Sequence, residues 1–193
     1  MRIGMSARDI TPRVGVDLAG FGPYLDRCSK GVRLPLWAKG LALEENGRTA
    51  LIVNCELVGV TAEVGQLACE QIVREVPGLT AEDILITATH THSGPSVDVR
   101  LNAWGRVDPV FLELLPDRIA EAGIAAVRAL EPAEVAFGTA PCEHIGLNRE
   151  YEPDAPPLAE VLRPDWRSQC PERTDTQVQV LKFKRPDGGM LGF

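Results

Sequence analysis

The stretch from Gly40 to Leu57, GLALEENGRTALIVNCEL, constrains the fold of this 193-residue chain more than any other. Two apolar runs flank Asn46-Gly47, a pair that accepts positive φ at both centres of a type I′ turn, so the stretch predicts a β-hairpin. The second run, Leu51 to Cys55, is continuous rather than alternating, which predicts a strand buried on both faces. The next segment, TAEVGQLACEQIVREV, places Val64, Leu67, Ala68, Ile72 and Val76 on one helical face. Thr61 serves as its N-cap, Glu63 lies in the first turn and Pro77-Gly78 stops it. DILITAT then returns to a short apolar strand. A hairpin, a helix and another buried strand define an α/β chain of mixed sheets with flanking helices.

Further along, DPVFLELLPDRIAEAGIAAVRAL predicts a helix capped by Asp108 with Pro109 at its first position. Pro116 is expected to kink it or to split off a first turn. AEVAFGTA reads as a strand. From Ile145 to Thr174 the chain is irregular and proline-rich, either a solvated insertion or a segment lining a site. DTQVQVLKF is the next expected strand and RPDGG a turn, after which MLGF opens a partner strand. A chain ending there leaves an unpaired edge, so the expectation is truncation at the C-terminus, with possible association through the unfinished strand.

The charge balance narrows the function. Net charge is −7 and no Lys/Arg cluster interrupts it, which argues against nucleic acid and against electrostatic docking on anionic membranes. The five cysteines are scattered without a C-x-x-C pair, so neither a zinc ribbon nor a thioredoxin motif is present. The N-terminus MRIGMSARDITP has no apolar core of a signal peptide, and no apolar run approaches the ~18 residues of a transmembrane segment. The expected location is cytoplasmic for the chain as written, or secreted had a leader been removed.

Two of the three histidines fall in THTHSGP, directly behind DILITA. In a strand, residues i and i+2 share a face, so His90 and His92 can aim both imidazoles at one point. That suits two ligands of one zinc, or one ligand and one proton-handling group; a plain hydrogen-bonded pair is the alternative. Sites also gather beyond the carboxyl ends of parallel strands. The third histidine, His144, reads as a surface residue that could equally converge on the pair. Other signatures are weak. Ser93 is outside any G-x-S-x-G context, and GFGPYLD is only glycine-rich, a turn or a flexible site wall.

Taken in order, IGMSARDITP, LAGFG, ATHTHSGPS, GLNRE and VQVLKFKRPDGGMLGF resemble the neutral/alkaline (non-lysosomal) ceramidases over essentially the whole chain. The combination of DITP with THTHSGP carries most of the specificity, whereas NR alone carries little. The resemblance implies the N-terminal part, residues 1–193, of a catalytic domain that hydrolyses the N-acyl bond of ceramide to sphingosine and a fatty acid, with Zn2+ as cofactor. It implies that His90 is a metal ligand, that His92 is a catalytic neighbour contacting substrate or reacting water, and that Arg149 is a catalytic residue that binds substrate. Asp9 to Pro12 fall near the site. The family's second zinc histidine (in an HPT-like segment), its serine (in a GDVSP-like segment) and its glutamate and tyrosine ligands have no counterpart in residues 1–193. Glu56 stands where the family suggests an aspartate. The chain alone is therefore expected to be inactive, a part of a lipid-amide hydrolase or a silent module needing a complementing chain. Other N-acyl substrates stay open.

Overall fold

The computed structural model describes the chain except for residues 21–26, 101–104, 143–147, 149, 151–153, 155, 162 and 192–193. The chain divides into two units, Met1–Glu134 with Lys184–Phe193, and Val135–Phe183.

The first unit is built on a five-stranded sheet. Its strands are β1 (Arg2–Asp9), β2 (Trp37–Glu45), β3 (Arg48–Cys55), β4 (Ile84–Ala88) and β5 (Glu131–Pro132), in the order β4-β3-β2-β1-β5. The expected hairpin is β2–β3: Asn46 and Gly47 have φ of 51° and 75°, and Glu45 pairs with Arg48 across the turn. β3 and β4 run parallel, joined through α1 (Ala62–Glu75), so the unit contains one βαβ crossover in an otherwise antiparallel sheet. β1, which periodicity alone does not assign, pairs with β2 along its full length.

Both α1 and α2 (Pro109–Arg128) pack on the same side of this sheet. On that side the sheet presents Ala38, Gly40 and Ala42 from β2 with Leu51, Val53 and Cys55 from β3, and the alanines, Leu51, Val53 and Cys55 are buried. The small residues let the α2 backbone approach closely. A Cβ on Gly40 would lie 2.6 Å from the Ala122 carbonyl oxygen, and one on Gly123 would lie 2.9 Å from Ile72 Cδ1. Ser6 donates its hydroxyl proton to the same Ala122 carbonyl.

Three expectations need correction. Leu67 does not join the core stripe of α1; it is 51% exposed, while Val64, Ala68 and Ile72 are buried. The apolar face of α1 that is fully buried is therefore narrower than the sequence suggests. Of the two outcomes expected at Pro116, a kink or a split, the split does not occur: α2 runs unbroken from Pro109 to Arg128 with Pro116 buried inside it. A proline eight positions into a helix costs a backbone hydrogen bond and crowds the preceding turn. Here packing of Leu115, Ile119, Ala120 and Ala122 in the core outweighs that cost. Finally, β3 is fully buried on one face only: Leu51, Val53 and Cys55 are inside, and Ile52 and Asn54 are half-buried.

The second unit carries β6 (Glu134–Pro141) and β7 (Gln177–Lys184), neighbours in a separate sheet. The segment between them is irregular as expected among its described residues, with a single turn of helix, α3 (Leu158–Val161), and a 3-10 turn at Pro171–Arg173. The turn after β7 closes through Arg185 N–H donating to the Gly189 carbonyl at 2.8 Å and leads to β8 (Met190–Leu191), so the expected strand-turn-strand is present. Among the described residues no helix is long and apolar enough to cross a membrane.

Candidate functional site

β4 ends at Ala88, but its parallel pairing with the chain after β3 continues. Thr89 N–H donates to the Cys55 carbonyl at 3.0 Å, and Thr91 N–H to the Leu57 carbonyl at 3.2 Å. His90 sits between these two bonds with φ of 61°. A non-glycine residue in the left-handed region is uncommon, though histidine is among those that visit it, and such strain concentrates at functional sites. The histidine pair therefore stands just past the strand rather than in it. Its imidazoles converge through a turn of the backbone and not through the pleat.

They do converge. The ring centroids of His90 and His92 are 5.0 Å apart with the rings inclined at 71°, and the two Nε2 atoms are 3.4 Å apart. His90 Nδ1 lies 2.6 Å from the Val58 carbonyl oxygen. A carbonyl only accepts, so Nδ1 carries the proton in the neutral ring and the lone pair is on Nε2, the atom that faces His92. His90 is exposed and His92 half-buried.

The wall behind His92 comes from the first loop. Ala19 N–H donates to the Gly94 carbonyl at 2.8 Å, Leu18 bridges to Pro95, and Arg27 donates to the His92 carbonyl at 3.2 Å. Gly20, with φ of 82°, lies directly on the His92 ring. The glycine-rich stretch is thus a site wall at Gly20, and residues 21–26 lie outside the described part. Asp17 anchors the same loop: its carboxylate accepts from Arg106 N–H and Nε at 2.9 and 3.0 Å and from Cys28 Sγ at 3.2 Å. The backbone N–H of Arg106, followed by its side chain, holds the Asp17 carboxyl below the usual range.

The DITP segment is structural in its contacts. Asp9 accepts from Thr11 N–H at 2.7 Å, and Thr11 Oγ1 accepts from Leu36 N–H at 2.8 Å. Hydrogen bonds to Thr11 lower the Asp9 carboxyl. Arg13 then reaches Asp108, the N-cap of α2, with Nη2 2.6 Å from the carboxylate. Glu56 is occupied by the sheet: it accepts from Trp37 N–H at 3.1 Å and pairs with Lys39 at 2.8 Å. Arg149 and His144 lie outside the described residues. An apolar cavity of about 770 Å³ lies between α1 and β4, lined by Cys69, Val73, Ile84 and Ile86 among others; neither histidine lines it.

Two contributors were not assigned from sequence as partners of the pair: the Val58 carbonyl, and Gly20 as the surface under His92. A backbone carbonyl leaves no residue signature. Gly20 stood within a quoted motif, LAGFG, but its contact is long-range.

The residues fit a zinc ion as far as two ligands can. Two nitrogens each about 2.0–2.1 Å from one tetrahedral ion stand roughly 3.3–3.4 Å apart, close to the observed spacing. An imidazole whose other nitrogen donates to a carbonyl is also the usual form of a zinc-binding histidine. Among the described residues, no group of three or more His, Cys, Asp or Glu gathers to hold a metal.

An α/β layer with paired imidazoles beyond the carboxyl end of a parallel strand pair is thus the class that fold and site define. The sequence profile of the family described as neutral/alkaline non-lysosomal ceramidase, N-terminal, matches residues 1–193, and the chain belongs to that family. It is 26% identical over 200 residues to the neutral ceramidase of Pseudomonas aeruginosa, covering 99% of this chain and 28% of that protein. The crystal structure of neutral ceramidase from Pseudomonas aeruginosa superposes with a TM-score of 0.80 over 98% of this chain and 30% of that one. A ceramidase complexed with C2 gives the same score over 29% of its chain. At 24% identity these two likenesses are of fold. The chain spans under a third of the relatives that it matches.

Proposed function

We propose that this chain supplies His90 and His92 to a zinc-dependent amidohydrolase centre that cleaves the N-acyl bond of ceramide or a ceramide-like lipid amide in the full-length protein. The observation that carries this reading is the imidazole pair itself, with Nε2 of His90 deprotonated by its hydrogen bond to Val58 and 3.4 Å from Nε2 of His92. Family membership supports the substrate class.

In this reading His90 binds the metal through Nε2. The chemistry that zinc held there would supply is polarisation of a carbonyl oxygen and a water or hydroxyl nucleophile available near neutral pH. His92 holds or delivers a proton at its Nε2. Hydrolysis breaks the amide C–N bond, places the water oxygen on the acyl carbon and puts a proton on the departing amine nitrogen. The products are sphingosine and a fatty acid. Arg149 binds a substrate oxygen, a task that its rigid fork of donors suits. One imidazole ligand, His90, leaves a catalytic zinc site incomplete, so the remaining metal ligands and the serine would come from outside the described residues.

The test is metal analysis with an N-acyl hydrolysis panel on the full-length protein. One zinc per chain and release of fatty acid from ceramide are expected. A protein that hydrolyses ceramide equally well after complete removal of metal would overturn the zinc role, and one that hydrolyses only other N-acyl compounds would overturn the substrate.

A further inference from the structure

We infer that Gly20 is a positioning residue for His92: its bare Cα is the seat that holds the imidazole with Nε2 turned towards His90. This rests on the reading of the histidine pair as the reaction centre. A Cβ built on Gly20 would fall on the ring, meeting Nδ1, with Cγ at 2.5 Å and Cδ2 at 2.9 Å. Contact distances of that kind are not met by real side chains, so only glycine permits this approach. All three heavy atoms nearest to that Cβ belong to the ring, so the collision would be with the imidazole itself.

The seat is itself held. Ala19 bonds to Gly94, Leu18 bridges to Pro95, and Asp17 is anchored by Arg106. Gly105, with φ of 116°, lets its backbone pass close to the Leu18 carbonyl, 3.0 Å from where a Cβ would stand. Arg27 also donates to the His92 carbonyl at 3.2 Å. His92 is thus fixed at both its backbone and its ring by residues from one loop. A ring that must place a proton within a few tenths of an ångström gains from such confinement, since misplacement by about 1 Å can lower a rate on the order of a hundredfold.

Gly15 provides an internal control. It shares the left-handed backbone, φ 98° against 82°, but a Cβ there would meet nothing within 4 Å. Gly15→Ala therefore reports backbone strain alone, whereas Gly20→Ala reports strain plus collision with His92. In the metal-free full-length protein, Gly20→Ala is expected to lower the melting temperature more than Gly15→Ala does. In a His92→Ala background the two losses should become equal, because the coupled partner is gone. The same loss from Gly20→Ala in both backgrounds would overturn the seat. This comparison needs neither metal nor substrate, so it decides the seat even where the hydrolase reading fails. In the zinc-loaded protein, Gly20→Ala should keep its zinc and lose about tenfold or more in kcat, with KM within about twofold. Unchanged kcat, or loss of the zinc, would overturn the positioning role.

Discussion

The Nδ1 of His90 is 2.6 Å from the carbonyl oxygen of Val58, and this single contact determines which nitrogen of His90 is available to a ligand. The two histidines should therefore separate in their effects. In the full-length protein, His90→Ala is expected to lose stoichiometric zinc and with it hydrolysis. His92→Ala should retain zinc while kcat falls on the order of 10² to 10⁴, the range of a lost proton-transfer group. Metal content measured beside kcat separates the two; equal zinc loss in both variants would make both residues ligands.

Asp108 does two jobs at one carboxylate, accepting from Phe111 N–H at 2.9 Å as the α2 cap and from Arg13 at 2.6 Å. Thr61, the cap of α1, accepts from Val64 N–H at 3.3 Å, and its side chain also hydrogen-bonds the exposed Glu63 carboxylate. Thr61→Ala is expected to cost about 1 kcal/mol. Asp108→Ala should cost more, and Arg13→Ala should account for part of the excess. Urea midpoints for the three variants check the order.

Acid stability follows from the same group. The Phe111 N–H first, and Arg13 second, hold the Asp108 carboxyl below its ordinary value. Its folded pKa is depressed, so the stabilisation is present above the unfolded value of about 4 and is lost as pH falls through the folded one. Asp9 and Asp17 shift the same way. The urea midpoint of the wild type should drop steeply below about pH 4, and Asp108→Asn should show a shallower decline.

Gly40→Ala is expected to destabilise the first unit by about 1–3 kcal/mol, the usual cost of overpacking, because its Cβ would stand 2.6 Å from the Ala122 carbonyl. Gly59→Ala, where a Cβ would meet nothing within 4 Å, should cost far less. Chemical denaturation of the two variants tests this.

Cysteine reactivity should divide by burial. Burial pushes the Cys55 thiol up to about 12, whereas Cys28 is exposed. At pH 8, iodoacetamide should label Cys28 within the native protein and reach Cys55 only after denaturant is added. Mass spectrometry of the digested protein reads the outcome; native-state labelling of Cys55 would contradict the packing of β3.

What could be read from the sequence was what local chemistry dictates. Asn46-Gly47 announced its turn because two successive residues had to take positive φ, and Thr61 and Asp108 announced helix starts because each cap is written within three residues of what it caps. His90 and His92 were legible as a pair, although the reason given, a shared strand face, was not how the chain brings them together. Long-range relationships were not legible. Nothing local tells that Leu67 points outward, that the core tolerates Pro116 in mid-helix, or that Gly20 lies under a ring 72 residues away. β1 escaped because its helix-facing residues, Gly4 and Ser6, are small rather than apolar, chosen for the approach of α2.

The place of β4 in the sheet has a consequence for the order of events. Among the described residues it is an edge strand, paired with β3, and the histidine loop hangs from its end. The described contacts that shape the loop, from the Thr89 and Thr91 bonds to the grip of Arg27, are made within the first unit. The scaffold of the first unit thus sets the imidazole pair by itself, and exposed His90 can be reached without reopening the core. A ligand that engages the pair therefore meets it as a preformed surface and does not have to nucleate it.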